Sequence, residues 1–474
     1  MAWLGTWANR LKITLDHTKF DSDETDFPHP VHLSADAGPS GNDLSCVFEE
    51  LGASGEQSVA FATSDGTTEI YAESELWDYL NAEAWYHVKV PAVSSSVDTV
   101  IYFYYDLAQG ANTAYVGTSE DAVVHNVWDS DFNAVWHMAQ DPDGDVSGAI
   151  KESTVAALDL TPNGSMTTAD LVSAKVGDGL AFDGTGDCLE SDGNQSSLNI
   201  GASDDFFIDF LIYFDAMPTN LGESDHIFSL ANPTDDRRSY ICDLILSTKY
   251  YLRFHTYNGT AATTAFAQIE LETSELVVDT WYHIAIQRSG NLVYFYINGD
   301  LHDSGVAFNP ASIYNNTDDP FYINSYDGTW SMGEFTIDEF RMTISDARSD
   351  SWAKATYNSL WDAINTFSEI PISGTLELVN SLLDLISVSG DLDLVNALKL
   401  GSTLSLNNSL NDILSGDIDL KNNILQALSG NLSIAMTIEE RAKASGTLSL
   451  LNRILASGDG VNQANYVFSK GHGL

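Results

Sequence analysis

Between Thr280 and Leu301 the chain changes face at every residue, twice over. Trp281, His283 and Ala285 alternate with Tyr282, Ile284 and Ile286; after Ser289-Gly290-Asn291, Leu292, Tyr294 and Tyr296 alternate with Val293, Phe295 and Ile297. A period of two is that of a strand half-buried against a core, so the pattern predicts a strand, a turn and a strand. Asn298-Gly299, the pair best able to take the two positive φ angles of a type I′ turn, ends the second run, and Asp300-Leu301 starts back. An antiparallel meander is expected.

The same period recurs in short runs from the N-terminus: Leu11, Ile13 and Leu15; Val31 to Leu33; Val59 to Phe61 with the turn Ser64-Asp65-Gly66; Ala84 to Val90; and Thr99 to Tyr105. That spacing is the spacing of a β-sandwich, so residues 1–126 are expected to form one. Val127 to His137 reads as a joint whose tryptophans pack at a seam. Beyond it, Leu180 to Phe182, Phe206 to Phe214, Ile227 to Leu230, Tyr250 to Phe254 and Phe335 to Phe340 supply the strands of a second unit over 127–367. Asp346 to Leu360 breaks the period. Trp352, Ala355, Thr356 and Ser359 share one helical face, with Ser349 and Asp350 placed to cap the start, so a short closing helix is predicted.

From Ser373 the composition shifts to Leu, Ser, Asn and Gly, and a unit of the form S-G-x-[LI]-x-[LI] returns at Ser373, Ser389, Ser415, Ser429 and Ser445, with S-T-L-S-L as the copy at Ser402. One such unit cannot bury its own apolar face; stacked units in one chain, or three chains wound together, can. Residues 368–457 are therefore expected to be a repeat stem, read here as an oligomerising, homotrimeric one, and 458–474 a polar tail. The fold class expected is all-β: two sandwiches, a β-rich stem and one short helix near 346–360.

Composition narrows the partners. A net charge of −48, from 68 acidic against 20 basic side chains, opposes contact with nucleic-acid phosphates and anionic bilayers, so no nucleic-acid partner is expected. The same surplus suits oxygen-ligand sites for hard cations such as calcium. No run of eighteen apolar residues occurs, and MAWLGTWANRLK lacks the apolar core of a signal peptide, so neither membrane insertion nor a Sec route is expected. Cys46, Cys188 and Cys242 stand far apart and outside any CxxC, as buried free thiols would.

Two groups of motifs carry a family resemblance. W-x-H-I-A at Trp281 and L-x-Y-x-Y-I-N-G-x-L at Leu292, with L-A-F-D-G at Leu180 and I-D-E-F-R at Ile337, resemble laminin-G-like, concanavalin A-like jelly rolls. W-x-x-R-x-x-I-T-L-D at Trp7, D-F-P-x-x-V-x-L at Asp26 and D-T-x-I-Y-x-Y-Y at Asp98 resemble a domain of unknown function that precedes such jelly rolls in phage and bacterial surface proteins. The closing helix belongs to the same two-domain pattern, and the repeats loosely resemble viral fibre shafts. The resemblance implies a non-enzymatic virion surface protein, a tail-fibre, head-fibre or decoration subunit, that meets cell-surface glycan and other virion proteins. A bacterial surface adhesin and a glycan depolymerase are the alternatives. It also implies calcium at the sandwich rim with Asp183 and Asp338 among its ligands.

Jelly rolls host both glycan binders and glycanases, so the chemistry has to be read from side chains. The glycanases carry E-x-D-x-E, three carboxylates on one strand face. Here Glu334 and Asp338 share a face, Thr336 lies between them, and strict alternation sends Glu339 to the other side. GxSxG, HExxH and a P-loop are absent from the sequence, and His87 and His283 sit beside tryptophan in strands as sheet histidines do. Sugar binding needs aromatic rings on rim loops for pyranose faces to stack on. Tyr257, Tyr314, Tyr326 and Trp330 occupy turn-rich stretches and are the candidates.

Overall fold

The computed structural model describes residues 3–368, apart from 192–195, 233–235, 261–262, 273 and 329–331, and beyond them the backbone strands lying within 376–455. It divides into a unit of residues 1–369 and a unit of residues 370–474.

The first unit holds two sandwiches. In the first, a four-stranded sheet runs in the order Glu24–Leu33, Glu83–Val93, Ala72–Asp78, Val116–Gly117, and a five-stranded sheet in the order Asn365–Ser368, Asn9–Leu15, Thr99–Tyr105, Val59–Thr63, Glu69–Ile70. The alternating apolar residues read from the sequence face each other across it. Phe61, Tyr86 and Phe103 pack as tilted rings with centroids 5.0 to 6.2 Å apart, and Leu11, Ile13 and Leu15 are fully buried.

The second sandwich is a jelly roll. Its seven-stranded sheet runs Leu160–Asn163, Cys188–Ser191, Phe321–Ile323, Ser224–Asn232, Arg237–Leu246, Tyr250–Gly259, Thr263–Leu271. The opposing sheet is centred on Glu334–Ile344 and Phe206–Phe214, with Trp281–Ser289, Leu292–Ile297 and Asp300–Leu301 following as the predicted meander. Asn298 and Gly299 take φ of 52° and 79°, the two positive angles the turn requires. Phe206, Ile208, Phe210, Ile212 and Phe214 line the core, so the alternation of this strand is real although both of its faces are covered. Cys46, Cys188 and Cys242 are free thiols.

The closing helix spans Asp350–Leu360, with the Ser349 hydroxyl accepting the Trp352 N–H at 2.8 Å, and its predicted face of Trp352, Ala355, Thr356 and Ser359 is buried. That face packs on the first sandwich as well as against Phe132 of the jelly roll that precedes it in sequence. The Trp352 ring meets Phe27 edge-on at 5.0 Å, and Ser359 Oγ lies 3.2 Å from His29 Nδ1. The chain then adds Asn365–Ser368 as an edge strand beside Asn9–Leu15. The first sandwich is thus completed by residues on the far side of the second, a pairing of ends that no local pattern announces. Gly38 makes room for it: at φ 67°, a Cβ there would lie 2.4 Å from the Asn365 carbonyl oxygen.

His29 locks this return, with Nε2 2.7 Å from Asn365 Oδ1. Burial disfavours its charged form and, against the opposing pull of the Asn365 bond, brings its pKa down to about 4 from 6.5. A folded pKa below the unfolded one means that the folded state binds fewer protons. This contribution is therefore full above pH 6.5 and is lost as pH falls toward 4, by about 3 kcal/mol. Unfolding titrations across that window are expected to show a shallower pH slope for His29→Gln than for the parent. Equal slopes would mean that His29 is not the group that titrates.

In the second unit, the strands Leu376–Leu382, Leu404–Asn411 and Leu432–Glu439 pair in parallel, as do Leu392–Leu398, Ile418–Leu425 and Leu448–Leu455. Each repeat pairs with the next but one, so consecutive repeats alternate between two sheets. The tail 458–474 lies outside the described residues.

Candidate functional site

The outer face of the four-stranded sheet and the outer face of the jelly-roll sheet meet within the first unit, where Trp85, Val176, Leu211 and Leu360 form a small apolar cluster. At its edge a pocket of about 380 Å³ opens, lined from four separate segments. Its size falls within the range of small-ligand sites. His32, Asp36, Glu83 and Trp85 come from the first sandwich, Lys175 from the jelly roll, and Trp361 and Asp362 from the end of the closing helix.

The helix end explains the last two. The Trp361 N–H bonds to the Tyr357 carbonyl at 3.0 Å and so closes the last turn. Asp362 then takes φ 52°, the left-handed conformation that stops a helix and that Asp and Asn tolerate better than most residues. The indole packs 4.4 Å from the Tyr357 ring and carries the Lys175 ammonium 5.0 Å from its centroid. Asp362 Oδ2 accepts the Gly38 N–H at 2.6 Å and lies 3.0 Å from His32 Nδ1, while its Oδ1 is buried without a partner. The His32 ring stacks on Trp85 at 4.2 Å and reaches toward Glu83, with Nε2 to Oε1 at 3.4 Å.

Charge in the pocket is mixed. Burial disfavours protonated His32, but the hydrogen bonds to Asp362 and Glu83 outweigh it and raise its pKa. Burial lowers the pKa of Lys175, against the attraction of Asp362 and Asp338. Lys175 makes no ion pair among the described residues. The site therefore offers indole surface, carboxylate acceptors and one ammonium donor, the set that grips a ring carrying hydroxyl groups.

The candidates named from sequence fall elsewhere. Tyr257, Tyr314 and Tyr326 come together at the seven-stranded sheet: the Tyr314 N–H bonds to the Tyr257 carbonyl at 2.8 Å, and the Tyr326 hydroxyl accepts from Arg238 while its ring stacks on His226 at 5.1 Å. All three are half-buried. Trp330 lies outside the described residues. Both carboxylate oxygens of Asp183 accept from Thr185, closing its own turn. Asp183 stands opposite Glu334, four residues along the strand from Asp338, or about 13 Å. Asp183 and Asp338 therefore do not converge on one ion, and calcium does not fit this pair.

Alternation also fails at Glu339. The pairing of Glu334–Ile344 with Phe206–Phe214 slips between Asp209 and Leu211, and Glu339 adopts φ 52°. This bulge puts two successive residues outside the core: Phe335, Ile337, Phe340 and Met342 point in, and Asp338 and Glu339 both reach the seam. Glu339 thus shares a side with Asp338, contrary to the alternation read from sequence, but both are fully buried and out of reach of a substrate. The sequence reading missed His32, Trp85, Lys175, Trp361 and Asp362 as a set. Trp361-Asp362 directly after a predicted helix was the available signal.

Two stacked sheets with this meander define the class: a concanavalin A-like jelly roll, the fold of lectins and glucanases. Residues 192–352 match the Laminin_G_3 family model, the concanavalin A-like lectin/glucanases superfamily. Among solved structures the chain is similar to the binding domain of Paraclostridial Mosquitocidal Protein 1, at 18% identity and TM-score 0.36 over 48% of this chain and 55% of that one. It is similar also to the binding domain of Botulinum Neurotoxin DC in complex with SialylT, at 14% and 0.36 over 49% and 52%. Trypanosoma rangeli sialidase matches at 13% and 0.36 over 59% and 42%. The chain spans about half the length of these structures. None of the curated proteins compared with it matches.

Proposed function

We propose that the chain is a non-enzymatic, lectin-like adhesion subunit that holds saccharide in the pocket between its two sandwiches. The observation that carries this reading is the pairing of the Trp361 indole with Lys175 and with the unpartnered Asp362 oxygen in one cavity. The carboxylates around it and the net charge of −48 favour neutral or amino sugars over polyanionic ones. Display on a virion, as a tail-fibre, head-fibre or decoration subunit, is supported by the sequence motifs of the two units and by the repeats. The repeats would serve as the oligomerising, homotrimeric stem that multiplies many weak contacts by displaying several copies together.

A second reading places saccharide on the outer face of the seven-stranded sheet, where His255, Tyr257 and the 44%-exposed Phe266 bring three rings together. Glycan-array binding of the full chain separates the two. Trp361→Ala is expected to weaken binding by about 2 kcal/mol, roughly thirtyfold, and Lys175→Met to narrow the set of glycans bound. Loss on Tyr257→Ala with Trp361→Ala unaffected would move the site to the sheet face.

A further inference from the structure

A buried charged cluster of the first unit lies in the seam, away from the pocket. Glu75 and His87 stand on neighbouring paired strands of the four-stranded sheet, His137 follows the strand Phe132–Trp136, and Glu339 is delivered by the bulge. All four side chains are at most 1% exposed. One atom from each, Glu75 Oε2, His87 Nε2, His137 Nδ1 and Glu339 Oε1, lies within 4.8 Å of the other three. His87 Nε2 is 2.7 Å from Glu75 and 3.5 Å from Glu339; His137 Nδ1 is 3.6 Å from Glu75 and in direct contact with Glu339. Ligands about 2.1 Å from a tetrahedral ion are about 3.4 Å from one another. The separations of 3.5 and 3.6 Å match that spacing, and the His87–Glu75 and His137–Glu339 contacts are shorter than it.

The surroundings are those of metal ligands. His137 turns its other nitrogen toward Glu73 Oε2 at 3.3 Å, and Glu73 is itself held by Ser153 Oγ at 2.6 Å and Trp128 Nε1 at 2.7 Å. A carboxylate behind a ligating histidine fixes the ring and raises its basicity. Arg341 occupies the second oxygen of Glu339. Glu75 Oε1 and His87 Nδ1, both buried, have no hydrogen-bond partner. Buried carboxylates at this density need a countercharge. A divalent cation supplies it for Glu75 and Glu339, with Arg341 on the far oxygen of Glu339 and His137 against Glu73.

We infer that Glu75, His87, His137 and Glu339 form a closed, structural site for a divalent transition ion of the zinc class, clamping the two sandwiches together. Two imidazoles and two carboxylates suit zinc better than calcium, and four protein ligands leave no open position for catalysis.

The test is metal content by mass spectrometry on the full chain refolded with and without Zn²⁺, since a buried site fills during folding. One equivalent per chain is expected after refolding with Zn²⁺, with a higher unfolding temperature than the metal-free protein. The equivalent should vanish in the His87→Gln, His137→Gln double variant and persist in His17→Gln, which alters the exposed Asp16, His17, Asp98 group. If the double variant does not fold, Co²⁺-refolded parent protein decides. Tetrahedral visible absorption with imidazole ligation upholds the site. No uptake of Zn²⁺ or Co²⁺, uptake without any gain in unfolding temperature, or loss of the equivalent only in His17→Gln overturns it.

Discussion

Arg341→Met is expected to cost about 3–5 kcal/mol of unfolding free energy, because it strips the counterion from a buried acidic cluster without removing the acids. Arg341 is 3% exposed, contacts Glu339 directly, lies 3.8 Å from Asp209 Oδ2 and sits 5.6 Å from the Trp128 ring centroid. Burial pushes Glu75 and Asp338 well up from ordinary carboxylate behaviour, with the Glu339 charge adding to it. Glu339 is the carboxylate kept ionised: burial opposes this, but His137 and Arg341 beside it hold its pKa far down. With methionine in place of Arg341, that charge keeps a buried site and loses its nearest fixed cation. Denaturant titration measures the loss. A change below about 1 kcal/mol, the size of a surface pair, would show the cluster to be solvated in solution.

Trp352→Ala is expected to cost a similar amount, about 3–5 kcal/mol, as truncation of a buried indole does elsewhere. The ring contacts Phe27 of the first sandwich and Phe132 of the strand that enters the jelly roll, with Arg348 stacked 4.4 Å from its centroid. It is the wedge under the helix that carries Trp361 and Asp362. Calorimetry should therefore show one lowered transition covering both sandwiches, together with weaker saccharide binding. Two separated transitions, one unmoved, would mean that the sandwiches fold independently of the helix.

The local layer of this architecture was legible and the long-range layer was not. The meander from Trp281 to Leu301 follows from alternation and one Asn-Gly pair, and the Ser349 cap follows from its place before an apolar face; both depend on neighbours in sequence. The bulge at Glu339 breaks the very rule used to read the strand. Two successive charged residues inside F-T-I-D-E-F-R were its trace, since one of them would otherwise have pointed into the core. The return of Asn365–Ser368 to the first sandwich and the meeting of His87 with His137 depend on contacts across the chain, which periodicity does not encode. For the same reason the pocket was missed: its seven chemical groups come from four segments, and none stands out in its own. The tyrosines chosen instead do sit together, but on the outer sheet face. In the repeats, spacing showed the unit and hid the pairing of every second copy.

The most direct measurement is a crystal structure of the chain with its best array glycan. Saccharide density is expected beside Trp361, with hydroxyl groups in reach of Asp362 Oδ1 and Lys175 Nζ. Saccharide seated over Tyr257 and Phe266, with the cavity beside Trp361 unchanged, would contradict the assignment of function to the seam between the sandwiches.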